Sequence, residues 1–229
     1  MTVRAVLFDK DGTIVDFHRT WDLAIGTALR ATAPNEAVLR QAADVLEFDL
    51  VTDTVCPGSP LIAESNSSVA ALVDSLLPVD LFFAAVTAAS AGNAAPALGV
   101  PELFVALRER HISLGVVTND FESSAKNQIA TLGWSDHFAA VVGCDSGYGA
   151  KPAPGMVLGA LDLIGVDAEE AVLVGDTTHD LDAGNGAGVT TVLVGNGKVI
   201  PSAYASLASL TIDRLNELIP SLTAAGHLP

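Results

Sequence analysis

Asp9 and Asp11 stand one residue apart where an apolar run ends, in Val3-Arg4-Ala5-Val6-Leu7-Phe8-Asp9-Lys10-Asp11-Gly12-Thr13. Two carboxylates this close repel one another unless a cation or a proton intervenes, so the pair is suited to holding Mg²⁺ while dividing nucleophile and acid/base roles. The plain alternative is a strand end followed by an Asp-Gly turn. Three further polar marks follow apolar runs or lie in loops of the second half of the chain. They are Thr118-Asn119 after Gly115-Val116-Val117, Lys151 in Gly149-Ala150-Lys151-Pro152, and Asp176 with Asp180 in Gly175-Asp176-Thr177-Thr178-His179-Asp180.

Together these residue types match the needs of phosphoryl transfer: a nucleophile, a metal to neutralise the nonbridging oxygens, a fixed cation and hydrogen-bond donors. Asp9 can attack phosphorus, while Asp11 protonates the leaving oxygen and later activates water. Asp176 supplies another metal carboxylate, and Asp180, one helical turn on, can ligate the metal or orient its surroundings. Thr118 and the backbone amide of Asn119 can bind phosphate oxygens, with Lys151 balancing the charge of phosphate and Asp9. Taken singly, each has an ordinary explanation: Thr118 and Asp176 as helix N-caps, Asp180 as a complement to a helix dipole, Lys151 as a surface lysine.

These positions meet only if strand ends share one edge. Beyond Pro101 the pattern predicts helices over 101–110, 122–132, 154–164 and 180–187, alternating with strands over 112–117, 139–143, 171–174 and 190–194. With the N-terminal strand added, this is an α/β fold, a doubly wound (Rossmann-like) parallel sheet covered on both faces. Residues 17–92 break the alternation with Ala- and Leu-rich helical stretches over 20–31, 35–46, 68–76 and 78–90, and with hardly any strand signal. The chain therefore reads as a catalytic core of residues 1–16 and 93–229 interrupted by an inserted α-helical cap, 17–92.

At 229 residues and 50% hydrophobic content, the chain can bury a substantial core. Its formal net charge of -16 argues against nucleic-acid or anionic-membrane partners, which require clustered Lys and Arg. Cys56 and Cys144 are too few for a disulfide scaffold and read as reduced, small core residues. The apolar run at the start stops at Asp9, and nothing approaches membrane-spanning length. The expectation is a cytoplasmic protein, monomer or homodimer, whose partner is a small phosphorylated metabolite.

The four motifs, Asp9-Lys10-Asp11-Gly12-Thr13, Val117-Thr118-Asn119, Lys151-Pro152 and Gly175-Asp176-Thr177-Thr178-His179-Asp180, occur in the order that resembles the haloacid dehalogenase superfamily of hydrolases. That resemblance implies an aspartyl-phosphate intermediate at Asp9, metal ligation by Asp9, Asp176 and the backbone carbonyl of Asp11, and a helical cap. A second aspartate at Asp11 is similar to the phosphatases and phosphomutases of the superfamily rather than to its dehalogenases. The general plan resembles phosphoglycolate phosphatases, although Val15-Asp16-Phe17-His18-Arg19-Thr20-Trp21 departs from their usual Val-Asp-Ser continuation. Arg19, at the entry to the cap, is a candidate to bind a substrate carboxylate or phosphate, or else a solvent-exposed arginine at a helix start. A sugar-phosphate mutase and a non-catalytic module retaining the fold are the alternatives to a phosphatase.

Overall fold

A computed structural model describes residues 2–90 and 92–228. The chain divides into two compact units, one of Met1–Ile14 with Pro96–Pro229 and one of Val15–Ala95. β1 (Ala5–Phe8) belongs to the first and is buried at every residue, as suits a central strand covered on both faces.

The second unit is mainly helical. Asp16 starts α1 (Phe17–Thr32) by accepting the Arg19 amide at 3.1 Å, and Asn35 starts α2 (Glu36–Val45) by accepting that of Val38 at 3.0 Å. A hairpin of β2 (Phe48–Asp49) and β3 (Thr54–Val55) follows, then α3 (Pro60–Ala63), α4 (Asn66–Val73) and α5 (Val79–Ser90). The hairpin is absent from the sequence expectation because two-residue strands carry no periodicity. Its turn is local chemistry: the Asp49 carboxylate accepts the amides of Val51 at 2.7 Å and Thr52 at 3.2 Å. Trp21, Ile25, Leu29, Leu46, Phe48 and Phe82 meet in this unit's core.

The first unit resumes with α6 (Val100–Glu109), β4 (Ser113–Val117), α7 (Glu122–Thr131), β5 (Phe138–Val142) and α8 (Gly155–Ile164). It continues through β6 (Ala171–Gly175), α9 (Thr178–Ala187), β7 (Thr190–Val194), α10 (Ser202–Ala205), β8 (Leu210–Ile212) and α11 (Leu218–Ala224). Six strands pair in the order β5-β4-β1-β6-β7-β8, every pair parallel. This is the expected doubly wound sheet, with one strand more than the sequence predicted. β8 escaped because Leu210-Thr211-Ile212 is three residues long. No helix among the described residues is long and apolar enough to cross a membrane.

The register brings the motifs to one edge. Phe8 pairs with Val116 on one side and Val174 on the other, so the residues after β1, β4 and β6 emerge side by side at their C-terminal ends. The strand order reverses direction at β1, where open α/β sheets form their ligand crevice.

Candidate active site

Asp9 leaves β1 with its amide bonded to the Val174 carbonyl at 2.8 Å, which fixes the carboxylate beside the end of β6. Lys151 meets it there. The Lys151 ammonium donates to Asp9 Oδ1 at 2.5 Å, to Asp180 Oδ1 at 2.6 Å and to the Val117 carbonyl at 3.0 Å, so its three protons are all placed. It is 5% exposed and therefore no surface lysine.

Asn119 positions that lysine. Its side-chain oxygen accepts the Lys151 amide at 2.9 Å and its Nδ2 donates to the Lys151 carbonyl at 3.0 Å, clamping the main chain from both sides. Sequence reasoning gave Asn119 only a backbone role toward phosphate. Its side chain holds together two loops that lie 32 residues apart. Thr118 is buried beside it, and its hydroxyl accepts the Asp120 amide at 3.2 Å, which leaves the O–H proton for a ligand oxygen.

Asp9, Asp176 and Asp180 each offer a carboxylate oxygen, all within 4.8 Å of one another. Asp176 Oδ1 accepts from the Thr13 hydroxyl at 3.3 Å, and its Oδ2 lies 3.6 Å from the exposed Lys198 ammonium. Asp180 is more committed. Its Oδ2 accepts both the amide and the hydroxyl of Thr177, at 3.0 and 2.7 Å, while Oδ1 holds Lys151, so it starts α9 and orients the lysine in one arrangement. The Asp11 carboxylate lies outside this set and pairs with Lys10 at 2.6 Å.

Two glycines make the approach possible. Gly12 has φ +87°, and a Cβ there would sit 2.3 Å from Asp176 Oδ2; a Cβ on Gly175 would sit 2.3 Å from the Asp180 side chain. The Asp-Gly turn after β1 thus brings backbone against a carboxylate at a distance no other residue allows.

Burial raises the Asp9 carboxyl well above its usual range; Lys151 opposes the shift, and Asp180, Asp176 and Asp11 reinforce it. Burial, then Asp180, pushes Asp176 up to about 6 against the pull of Lys198 and Lys151. Lys151 is shifted down by burial, but Asp180 and Asp9 outweigh that and hold it above the ordinary lysine value. A crowd of buried oxygens with one fully buried cation among them fits a hard divalent cation, which favours oxygen ligands and relieves their repulsion.

This sets a pH test. Between about 4 and about 6, folded Asp176 keeps a proton that the unfolded chain releases, so metal-free stability falls as pH rises through that window, by up to ~3 kcal/mol from this group. A divalent cation bound to the ionised cluster would reverse the loss. Melting curves should therefore show a larger Mg²⁺-induced rise in Tm at pH 7.5 than at pH 5. An equal rise at both would contradict the placement of the cation on these carboxylates.

Arg19 lies exposed in the first turn of α1, in the second unit. The other arginines there are engaged: Arg30 with Asp53 at 2.6 Å and Arg40 with Glu36 at 3.1 Å. Asn66, Ser67 and Ser68 form the start of α4, which the preceding Ser65 caps by accepting the Ser68 amide. His18 pairs with Asp22 at 3.1 Å.

Sequence reasoning missed Asn196 and Lys198 altogether and gave Lys10 no role. Asn196 Nδ2 donates to the carbonyls of Gly12 and Thr13 at 2.8 and 2.9 Å, fastening the turn after Asp11. Asn196-Gly197 reads only as a turn, and no spacing rule links it to a loop 184 residues away.

The family model for haloacid dehalogenase-like hydrolases matches residues 3–188. Over 97% of its length the chain is 31% identical to a phosphoglycolate phosphatase of Mesorhizobium japonicum, covering 98% of that protein. It is 28% identical to an N-acetylmuramic acid 6-phosphate phosphatase of Pseudomonas aeruginosa over 98% of this chain and 97% of that one. The crystal structure of a predicted phosphoglycolate phosphatase from Haemophilus somnus superposes with a TM-score of 0.74 at 20% identity, covering 96% of this chain and 97% of the other. The chain belongs to the haloacid dehalogenase-like hydrolases, and it is an enzyme of the hydrolase class.

Proposed function

We propose that this hydrolase is a Mg²⁺-dependent phosphatase that cleaves a small phosphomonoester, phosphoglycolate-like in being compact and anionic, through an aspartyl phosphate at Asp9. The observation that carries the reading is the Asp9 carboxylate, held at the strand edge by Lys151 at 2.5 Å and gathered with Asp176 and Asp180 within 4.8 Å. Relatives named for phosphatase activity over nearly the whole chain support it.

A carboxylate oxygen of Asp9 attacks phosphorus as the bond from phosphorus to the leaving oxygen breaks. Asp11 gives its proton to that leaving oxygen, and the alcohol departs. Asp11 then takes a proton from water, which attacks the same phosphorus and frees Asp9. Lys151 holds Asp9 toward the substrate and offsets negative charge on the transferring group, while the Thr118 hydroxyl donates to one of its oxygens. Asp9, Asp176 and the backbone carbonyl of Asp11 would hold Mg²⁺, with Asp180 behind them, and the ion when bound neutralises phosphate charge and aligns it for attack. A second aspartate at position 11 suits hydrolysis of a phosphoester, which needs a proton donor for its leaving oxygen.

Specificity falls to Arg19 in this reading, because it is the arginine of its unit without an ion-pair partner among the described residues. A chain of net charge -16 repels an anion at long range, so a bound anion needs local positive charge. The test is phosphate release from a panel of small phosphomonoesters with and without Mg²⁺, repeated with Arg19→Ala. Phosphoglycolate should be among the better substrates, and Arg19→Ala should raise its KM about 10-fold or more while leaving KM for a neutral aryl phosphate within about 2-fold. Equal losses on both would make Arg19 structural, and no phosphate release from any ester would remove the phosphatase reading.

A further inference from the structure

Lys10 sits between the two aspartates and is fully buried, 0% exposed. A lysine is almost never buried completely unless paired, because removing an ammonium from water is costly. Strand alternation explains where it goes. Continued past Phe8, the pleat sends Asp9 and Lys10 to opposite faces of the sheet. Asp9 meets Lys151 on one side, and Lys10 reaches α7 on the other.

There its ammonium donates to Gln128 Oε1 at 2.6 Å and forms ion pairs with Asp11 Oδ2 at 2.6 Å and Asp120 Oδ2 at 3.2 Å. Burial lowers the Lys10 pKa, but Asp11 and Asp120 overcome this and hold it above the ordinary lysine value, so the group stays charged. Asp120 directly follows Thr118-Asn119 and accepts the Phe121 amide at 2.7 Å, and Gln128 is itself buried on α7. Filling this space would need only an apolar side chain of similar length, such as methionine. A buried cation directed at the Asp11 carboxylate, and anchored to a second loop and a helix, does something packing does not require.

We infer that Lys10 is the positioning residue for the acid/base step: its ammonium fixes the Asp11 carboxylate and ties the loop after β1 to the loop after β4 and to α7. Lys10 touches no reacting atom in this scheme and acts through Asp11. The inference rests on the acid/base reading of Asp11 given above.

The test is a double-mutant cycle read on two phosphate esters, one with a poor alkyl leaving group and one with a good nitrophenyl leaving group, in the full-length Mg²⁺-loaded enzyme. The ratio kcat/KM reports steps up to departure of the leaving group, so loss of a proton donor harms the alkyl ester more. Asp11→Asn should show that selectivity. Lys10→Met should copy it, losing about 10- to 100-fold on the alkyl ester and clearly less on the nitrophenyl ester. In the Asp11→Asn background, Lys10→Met should cost no more than about 3-fold, since the group it positions is already disabled. If Lys10→Met alone does not fold, Lys10→Met combined with Asp120→Asn strands one carboxylate fewer and should show the same selectivity.

Equal losses on both esters from Lys10→Met, or a full additive loss in the Asp11→Asn background, would overturn the assignment to Lys10 while leaving Asp11 in its role. An Asp11→Asn variant indifferent to the leaving group would remove the acid/base reading itself, and the Lys10 assignment with it.

Discussion

Asp9→Asn should abolish turnover, by at least about 10⁴-fold, while the protein melts no lower than the wild type. The amide has no carboxylate oxygen with which to attack phosphorus, so no partial route through the same intermediate survives. Its oxygen can still accept from Lys151, and a neutral amide escapes the burial cost and, with it, the repulsion from Asp180, Asp176 and Asp11 that raise Asp9 in the wild type. Melting curves beside the assay separate lost chemistry from lost structure. Asp11→Asn should behave differently, slowing the reaction by about 10² to 10⁴ because it removes proton transfer and leaves the nucleophile in place. An Asp9→Asn enzyme within about 10-fold of the wild type would end the case for covalent catalysis at this residue.

Exhaustive chelation should eliminate activity, with Mg²⁺ restoring it. Asp176→Ala should raise the Mg²⁺ concentration needed for half-maximal rate by more than about 100-fold, exceeding the loss expected from a residue that only supports a ligand. The reason is local: Asp176 directly follows β6, is bonded to Thr13, and is pushed up to about 6 by burial of its side chain and by the neighbouring Asp180. Alanine would remove a ligand and reduce the repulsion together, so the metal-free variant should be more stable at neutral pH than the metal-free wild type. A Mg²⁺ titration followed by both rate and Tm checks the two effects at once. Full activity after chelation would contradict the metal assignment.

The sheet was legible because its strands of four and five residues are mainly apolar runs followed by turns, and helices between them begin and end on ordinary signals such as Pro154 and Gly165. In the second unit α1, α2, α4 and α5 were also legible, to within a few residues, whereas the four-residue α3 was not. The β2–β3 hairpin and β8 were not, because strands of two and three residues are set by turns and by pairing with neighbours rather than by periodicity. At the site, Asp9, Asp11, Thr118 and Asp176 were legible as residue types at strand ends, Lys151 as a loop cation and Asp180 as a carboxylate one helical turn beyond Asp176. What those side chains bond to was not. Asn119 holds Lys151, Asp180 divides itself between Lys151 and Thr177, and Asn196 reaches back across the chain to Gly12. Apart from the local Asp180–Thr177 bond, each of these is a contact between distant segments, decided by register and loop path after the chain has folded.

The most direct measurement starts from Asp11→Asn, in which hydrolysis of the covalent intermediate should be slow enough for it to accumulate. The variant would be mixed with Mg²⁺ and a radiolabelled phosphomonoester, quenched in acid, reduced with borohydride and mapped by peptide mass spectrometry. An acyl phosphate at Asp9 should carry the label before reduction, be released by hydroxylamine, and leave homoserine at position 9 after reduction. Label on another residue, or phosphate release with position 9 unmodified and no bound label at any time, would contradict an aspartyl phosphate at Asp9.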